Sequence, residues 1–194
     1  MNDAKLFNRF PELISPDLIL RKITTKNLED LYEICSNDNL YLYRPSQAKK
    51  NYALVYNLIT QYQRDYTKQK SMVIGIYLRS AQDKLVGFVE VYNFDKLVNM
   101  ANIGYVLNEA YWGQGIASKA VHMTASYLFG TGGLNRIQAY VVSENARSRH
   151  VLLRNHFTHE GTLREGIHWP DKGVIDIELF ALLRKEHHAN LFPD

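Results

Sequence analysis

The residues best suited to chemistry lie in the segment Tyr111-Trp112-Gly113-Gln114-Gly115-Ile116-Ala117-Ser118-Lys119-Ala120. A strand-like run, Ile103 to Leu107, leads into it, and a helix-like run leaves it. The first N–H groups of a helix have no partner inside the helix, and the helix dipole favours negative charge there. Glycine lets a ligand approach the backbone because it has no side chain. The segment therefore offers an anion site, most simply for a diphosphate. A P-loop requires Gly-x-x-x-x-Gly-Lys-Ser/Thr. Here Lys119 stands between Ser118 and Ala120, so that reading fails. A dinucleotide fingerprint requires a third glycine three residues after the second, then an acid about 20 residues on. Ser118 occupies the glycine position, and the following strand leads to Glu144 rather than to an acid at that distance.

Gly115-Ile116-Ala117 fits the second half of the acetyl-CoA turn, Gln/Arg-x-x-Gly-x-Gly/Ala, of the GNAT superfamily of N-acetyltransferases. Trp112 stands where Gln or Arg is usual, and Tyr-Trp-Gly-Gln-Gly-Ile resembles the RimJ/RimL-like branch, which acetylates ribosomal-protein N-termini. Four further stretches are similar to that branch: Ala101 to Tyr105, Gly133 to Ile137, Glu144 to Ser148 with Leu153 to Phe157, and Glu160 to Glu165. The resemblance runs over about residues 17 to 185. It implies an α/β fold: a mixed, mostly antiparallel sheet flanked by helices, with a splayed acetyl-CoA cleft between the fourth and fifth strands. It also implies acetyl-CoA as donor, an amine as acceptor and a homodimer.

The same resemblance assigns roles. Backbone groups of Gln114, Gly115, Ile116 and Ala117 would hold the diphosphate, with Gly113 keeping the turn open. Backbone groups of Tyr105, Val106 and Leu107 would hold the pantetheine and donate to the oxyanion. Lys119 would add a charge near a phosphate or stand in solvent. Many relatives carry Asn-x-x-Ala-x-x-x-Tyr-x-x-x-Gly-Phe, which reads here as Asn145, Ser148, Leu152, His156 and Phe157. The tyrosine acid is thus missing, and Ser148 takes the place of the serine that protonates the thiolate in RimL-like enzymes. Asn145 would contact the cofactor; alternatively, Asn145 and Ser148 cap a helix start. The branch's acid after the Glu160-Gly161 pair falls at Ile167, flanked by Glu165 and His168, which are the first and second choices for general base. A histidine has the better unperturbed pKa for that task. Glu90 on the third strand is a further candidate, and Asn102 replaces a glutamate common in the branch.

Elsewhere the sequence bounds the function more loosely. A chain of 194 residues is expected to form one domain, 1–194, with an irregular lead-in over 1–16 and a polar tail over 186–194. The composition, 46% hydrophobic and 22% charged, is that of a soluble globular protein. No apolar run reaches the ~18 residues of a membrane span, and the N-terminus lacks a secretory pattern. The single cysteine, Cys35, excludes an internal disulfide and fits a cytoplasmic location. A net charge of +3 suits a polyanionic ligand without marking a nucleic-acid binder. The histidines lack acidic or cysteine partners at ligand spacing, so no metal site is expected. The tyrosines between Tyr41 and Tyr66 read as helix packing or as an amphipathic wall for substrate.

The elements that must position these residues follow from periodicity. Strands are expected over 18–23, 72–78, 85–92, 100–107, 137–141, 157–163 and 175–183. Helices are expected after Asn27, over 52–66, from Ile116 to Gly130, and from Ala146 to about Leu153. Asn27 is the expected cap of the first helix. The order β-α-α-β-β-β-α-β-α-β-β matches the implied fold. The functional expectation is an N-acetyltransferase joining acetyl-CoA and amine in a ternary complex. The acceptor is a protein N-terminus or a small amine such as a polyamine, amino sugar or amino-acid-like compound. The rival class is a non-catalytic acyl-CoA-binding protein. The loop Trp169-Pro170-Asp171-Lys172-Gly173 and the early helices are expected to set acceptor specificity.

Overall fold

The structure, a computed structural model, describes residues 1, 3–81, 83–170 and 172–191. Eight strands form one sheet: β1 (Leu13–Ile14), β2 (Leu18–Lys22), β3 (Ser71–Leu78), β4 (Lys84–Asp95), β5 (Met100–Leu107), β6 (Arg136–Val141), β7 (Thr158–Trp169) and β8 (Gly173–Leu183). Their spatial order is β1-β2-β3-β4-β5-β6-β8-β7. Every neighbouring pair is antiparallel except β5 and β6, which are parallel and joined through α4 (Ile116–Gly130). The remaining helices are α1 (Asp3–Phe7), α2 (Leu28–Cys35), α3 (Tyr52–Thr67), α5 (Ala146–Arg154) and α6 (Arg184–Leu191).

Both sheet faces are covered, which is why β3 and β4 read as near-continuous apolar runs rather than alternating ones. On one face Met72, Ile74, Ile76, Val89 and Val91 pack with Ala120, Val121, Ala125, Leu128 and Phe129 of α4. On the other, Val73, Tyr77, Phe88 and Val106 pack with Leu31, Ile34 and Cys35 of α2 and Val55 and Ile59 of α3. Both helices present one apolar stripe, the pattern of a half-buried helix. Asn51 caps α3 by accepting from the Ala53 N–H at 2.7 Å.

Several expectations are corrected. Asn27 makes no side-chain cap for α2. Its Oδ1 accepts from the Thr24 N–H at 3.0 Å and from the buried Tyr77 hydroxyl at 2.9 Å. The lead-in is not wholly irregular: α1 buries Leu6 and β1 extends the sheet edge. The 186–194 tail begins inside α6, and residues 192–194 lie outside the described residues. β7 runs six residues beyond its expected end, so 169–173 is the turn of a hairpin rather than a loop. Asp171 and the side chain of His188 lie outside the described residues.

Candidate active site

Parallel pairing between β5 and β6 lasts for three residue pairs: Met100 with Arg136, Ala101 with Ile137, and Asn102 with Gln138. Beyond Asn102, β5 stays on β4 as far as Leu107, while β6 stays on β8 as far as Val141. Each strand is held on its far side, so the gap between them is built into the sheet. A cavity of about 1130 Å³ opens there. It is lined by Tyr105, Val106 and Leu107 along β5, Ala139 to Val141 along β6, the glycine turn, the exposed face of α5, and residues of α3 and β4.

The glycine turn is anchored before it bends. Asn108 Oδ1 accepts from the Ala110 N–H at 3.1 Å, and Trp112 Nε1 donates to the Leu107 carbonyl at 2.8 Å. Gly113 and Gly115 then take φ of +74° and +75°, where residues with a Cβ are strained. A Cβ built on either would meet nothing within 4 Å, so backbone conformation, not protein packing, is what calls for glycine. No side chain caps α4, which leaves its leading N–H groups directed at the cavity wall formed by Gly115 to Ser118. The site thus fits a diphosphate. Gln114 differs from the rest of the turn: its side chain donates back to the Ala110 carbonyl at 3.2 Å and is exposed, off the cavity. Lys119 is paired with Asp17 and also lies off the cavity. On the α5 side of the wall, positive charge comes instead from Arg147 and Arg154, with His150 between them. The Arg147 guanidinium stacks on Trp112, 4.4 Å from the ring centre. Their spacing of three and four residues puts all three on one helix face.

Ser148 and Asn145 both line the cavity. Asn145 caps α5 by accepting from the Ser148 N–H at 3.1 Å, so the capping reading holds for its side chain. The Ser148 hydroxyl lies 2.8 Å from the Tyr105 hydroxyl, which also donates to the Ser148 carbonyl at 2.9 Å. Burial pushes the Tyr105 phenol far above its ordinary pKa, so it remains a protonated donor. The sequence reading used only the backbone of Tyr105. The fold also brings its hydroxyl to Ser148, across 43 residues of chain.

Glu165 and His168 are exposed and off the cavity. His168 stands between Ile167 and Trp169, which line the cavity, and so points to the opposite face; for Glu165 the reason is a bulge. Leu163 pairs with Ile177 and Ile167 with Ile175, so four steps on β7 face two on β8. Glu165 sits in that bulge with φ of +50°, its N–H donating to Asp176 Oδ1 at 2.8 Å. Gly166 and Ile167 line the cavity in its place. The acids that do line it, among the described residues, are Glu90 and Asp65. Glu90 is bound by Arg44 Nη2 at 3.0 and 3.3 Å. Among the described residues no group of three His, Cys, Asp or Glu is placed to hold a metal ion.

The family model of the GNAT acetyltransferase domain matches residues 17–158. The chain belongs to the GNAT acetyltransferase family. It is 30% identical to the uncharacterized N-acetyltransferase YoaA of Bacillus subtilis, over 80% of this chain and 88% of that one. It is 25% identical to the ribosomal-protein-serine acetyltransferase of Escherichia coli, over 87% of this chain and 93% of that one. Mycobacterium smegmatis RimJ in complex with CoA-disulfide shares the fold, with a TM-score of 0.79, 22% identity and coverage of 98% and 91%.

As a GNAT acetyltransferase, the protein draws its acetyl group from acetyl-CoA. The structure brings Tyr105, Val106, Leu107, Gly113, Gly115, Ile116, Ala117, Asn145 and Ser148 to one cavity. It leaves out Glu165, His168 and the side chain of Gln114. Sequence reasoning missed Arg44, Asp65, Arg147, His150 and Arg154. For the α5 residues a signal was available: Arg147, His150 and Arg154 recur at helical spacing in the helix that follows the strand after the glycine turn.

Proposed function

We propose that this acetyltransferase acts on the N-terminal α-amine of a protein. The observation that carries the reading is the cavity of about 1130 Å³ at the β5–β6 gap. Its α4 and α5 side carries the glycine turn and Arg147, and its α3 side is lined by Tyr43, Tyr62 and Tyr92. Such a lining suits acetyl-CoA along the glycine turn and an extended chain end along the tyrosines. The 25% identity with a ribosomal-protein-serine acetyltransferase points to the same acceptor class. The chemistry agrees as well: an α-amine has a pKa near ~8, so an appreciable fraction is neutral and nucleophilic at physiological pH.

Residue roles follow from position. The N–H groups of Gly113, Gln114, Gly115, Ile116 and Ala117 bind the diphosphate of acetyl-CoA, reinforced by the arginines of α5. The free edge of β5 at Tyr105, Val106 and Leu107 orients the pantetheine arm. Bound this way, acetyl-CoA presents a thioester to the gap. Ser148 supplies a proton to the departing sulfur, and Tyr105 holds its hydroxyl in place. Asn145 serves by fixing the start of α5. Cys35, the sole cysteine and buried, fits a cytoplasmic location, and a homodimer is the assembly we expect, to be read by light scattering.

A small-amine acceptor is the second reading. It is favoured by the two carboxylates on the α3 side and by the 22% identity with a Vibrio cholerae spermidine N(1)-acetyltransferase. The test offers peptides with free N-terminal serine or alanine, the same peptides with blocked N-termini and an internal lysine, and spermidine, each with acetyl-CoA. Mass spectrometry locates the acetyl group. Modification of the free N-termini supports the proposal; turnover of spermidine alone replaces it with the second reading.

A further inference from the structure

The geometry points to Glu90 as the residue that takes the proton from the acceptor amine, with Arg44 as the residue that positions it. Glu90 pairs in register with Gly104 of β5, two residues beyond the last β5–β6 pair at Asn102. Gly104 has no side chain, and a Cβ built there would lie 3.7 Å from Glu90 Oε2. The carboxylate therefore overlies the strand edge where the gap opens. Successive residues of a strand point to opposite faces. Glu90 and Gly104 belong to the face covered by α2 and α3, whereas Tyr105 points to the other face and meets Ser148 at 2.8 Å. A thioester lying in the gap is thus flanked by a proton acceptor on one side and a proton donor on the other.

Asp65, the other acid on the wall, is less suited. It comes from α3, whereas Glu90 stands on the strand paired with β5, in register with Gly104. Arg44 reaches Glu90 from the segment between α2 and α3. That segment is tied to the glycine-turn side of the cavity: Asn37 and Asn39 both donate to Glu109 Oε2 at 2.9 Å. Arg44 is therefore held over Glu90 from a fixed base; it donates to both oxygens, and a carboxylate, with about four lone-pair sites, can accept from an amine as well.

The step balances without a further reactant. The neutral amine nitrogen bonds to the acetyl carbon, and the carbon–sulfur bond breaks with its electron pair on sulfur. One amine proton passes to the Glu90 carboxylate, and the sulfur receives a proton from Ser148. Solvent returns both residues to their starting state.

This inference rests on the acetyl-transfer reading but not on the acceptor class, so the serine-terminated peptide and spermidine are assayed side by side. Failure of the peptide alone refutes the acceptor assignment, while spermidine still tests Glu90. Glu90→Gln is nearly isosteric and should lower kcat by about 10²-fold or more with acetyl-CoA affinity unchanged. Glu90→Ala should be equally slow and should regain rate with added formate, a carboxylate small enough for the space vacated. Arg44→Ala should lower kcat by about tenfold through misplacement of Glu90, and Arg44→Lys should recover most of it. Gly104→Ala makes an ordinary contact at 3.7 Å and so should fold; its methyl should raise the acceptor KM without touching acetyl-CoA binding. A Glu90→Gln rate within about threefold of wild type overturns the proposal, being far short of what proton transfer contributes. A slow Glu90→Ala that formate leaves unchanged also overturns it, reducing Glu90 to a structural partner of Arg44.

Discussion

Replacing Gly115 by alanine separates a conformational requirement from a packing one. Gly115 sits at φ +75°, and a Cβ there would meet no protein atom within 4 Å. The folded protein should therefore lose only the left-handed backbone penalty, about 1–2 kcal/mol. Gly130 supplies the control. It lies in α4 with open space around its Cβ position and no positive φ, so Gly130→Ala should stabilise by about 0.4–1 kcal/mol. The same chemical change thus has opposite signs at the two ends of one helix. Binding should differ more. Relaxing the turn misdirects N–H groups that meet a charged ligand, and each such hydrogen bond is worth about 1.5–3 kcal/mol. Loss of one weakens acetyl-CoA binding by about tenfold to a hundredfold, since 1.4 kcal/mol is a factor of ten. Urea denaturation reads the first quantity and calorimetric titration the second. If Gly115→Ala were as stable as Gly130→Ala and bound acetyl-CoA like wild type, the reasoning from turn geometry to cofactor would be refuted.

Three further outcomes follow from the site and its surroundings. Ser148→Ala should lower kcat by about 10²-fold with acetyl-CoA affinity retained, and Tyr105→Phe should fall between it and wild type; steady-state kinetics at matched saturation would show the ranking. Glu165→Gln and His168→Asn should leave kcat/KM within about twofold of wild type, as expected of exposed residues away from the cavity. The third concerns alkaline pH. Burial pushes the Tyr66 and Tyr77 phenols up to about 12. A raised folded pKa means the folded state holds its proton longer than the unfolded chain does. Their contribution to stability is therefore complete below the ordinary tyrosine value of ~10 and is lost as pH rises from there through about 12. Urea midpoints should be steady from pH 7 to 9 and fall steeply by pH 11; a flat profile would contradict this burial.

How much of this was legible in the sequence depended on whether the signal was local. Gly113 and Gly115 announce themselves because only glycine takes their φ readily, and the turn they form lies between two strongly patterned elements. The pairing of β3, β4 and β5 was legible for a similar reason: short polar connections leave antiparallel neighbours as the natural arrangement. Which acid faces the cavity was only partly legible: Glu90 stood as a further candidate behind Glu165 and His168, and of these three only Glu90 lines the cavity. Along β7, which side chain faces the cavity depends on strand parity and on where a bulge interrupts it. The bulge between Leu163 and Ile167 turns Glu165 out of the cavity that Leu163 and Ile167 line, and no composition or motif signals it. The Arg44–Glu90 pair joins residues 46 positions apart and depends on how the α2–α3 segment crosses the sheet. The Tyr105–Ser148 contact likewise exists only once β5 and α5 have been placed on either side of the gap. Helix α6 was missed because its sequence is almost wholly polar and carries little apolar periodicity.

The central claim is that the unpaired edge of β5 and the glycine turn together hold acetyl-CoA. Amide hydrogen exchange with and without acetyl-CoA tests it most directly. The account predicts added protection at residues 103–107 and 115–118, with none at residues 162–168 of the β7 bulge. Tight binding that left 103–107 and 115–118 unprotected would contradict it and would place the cofactor elsewhere on the molecule.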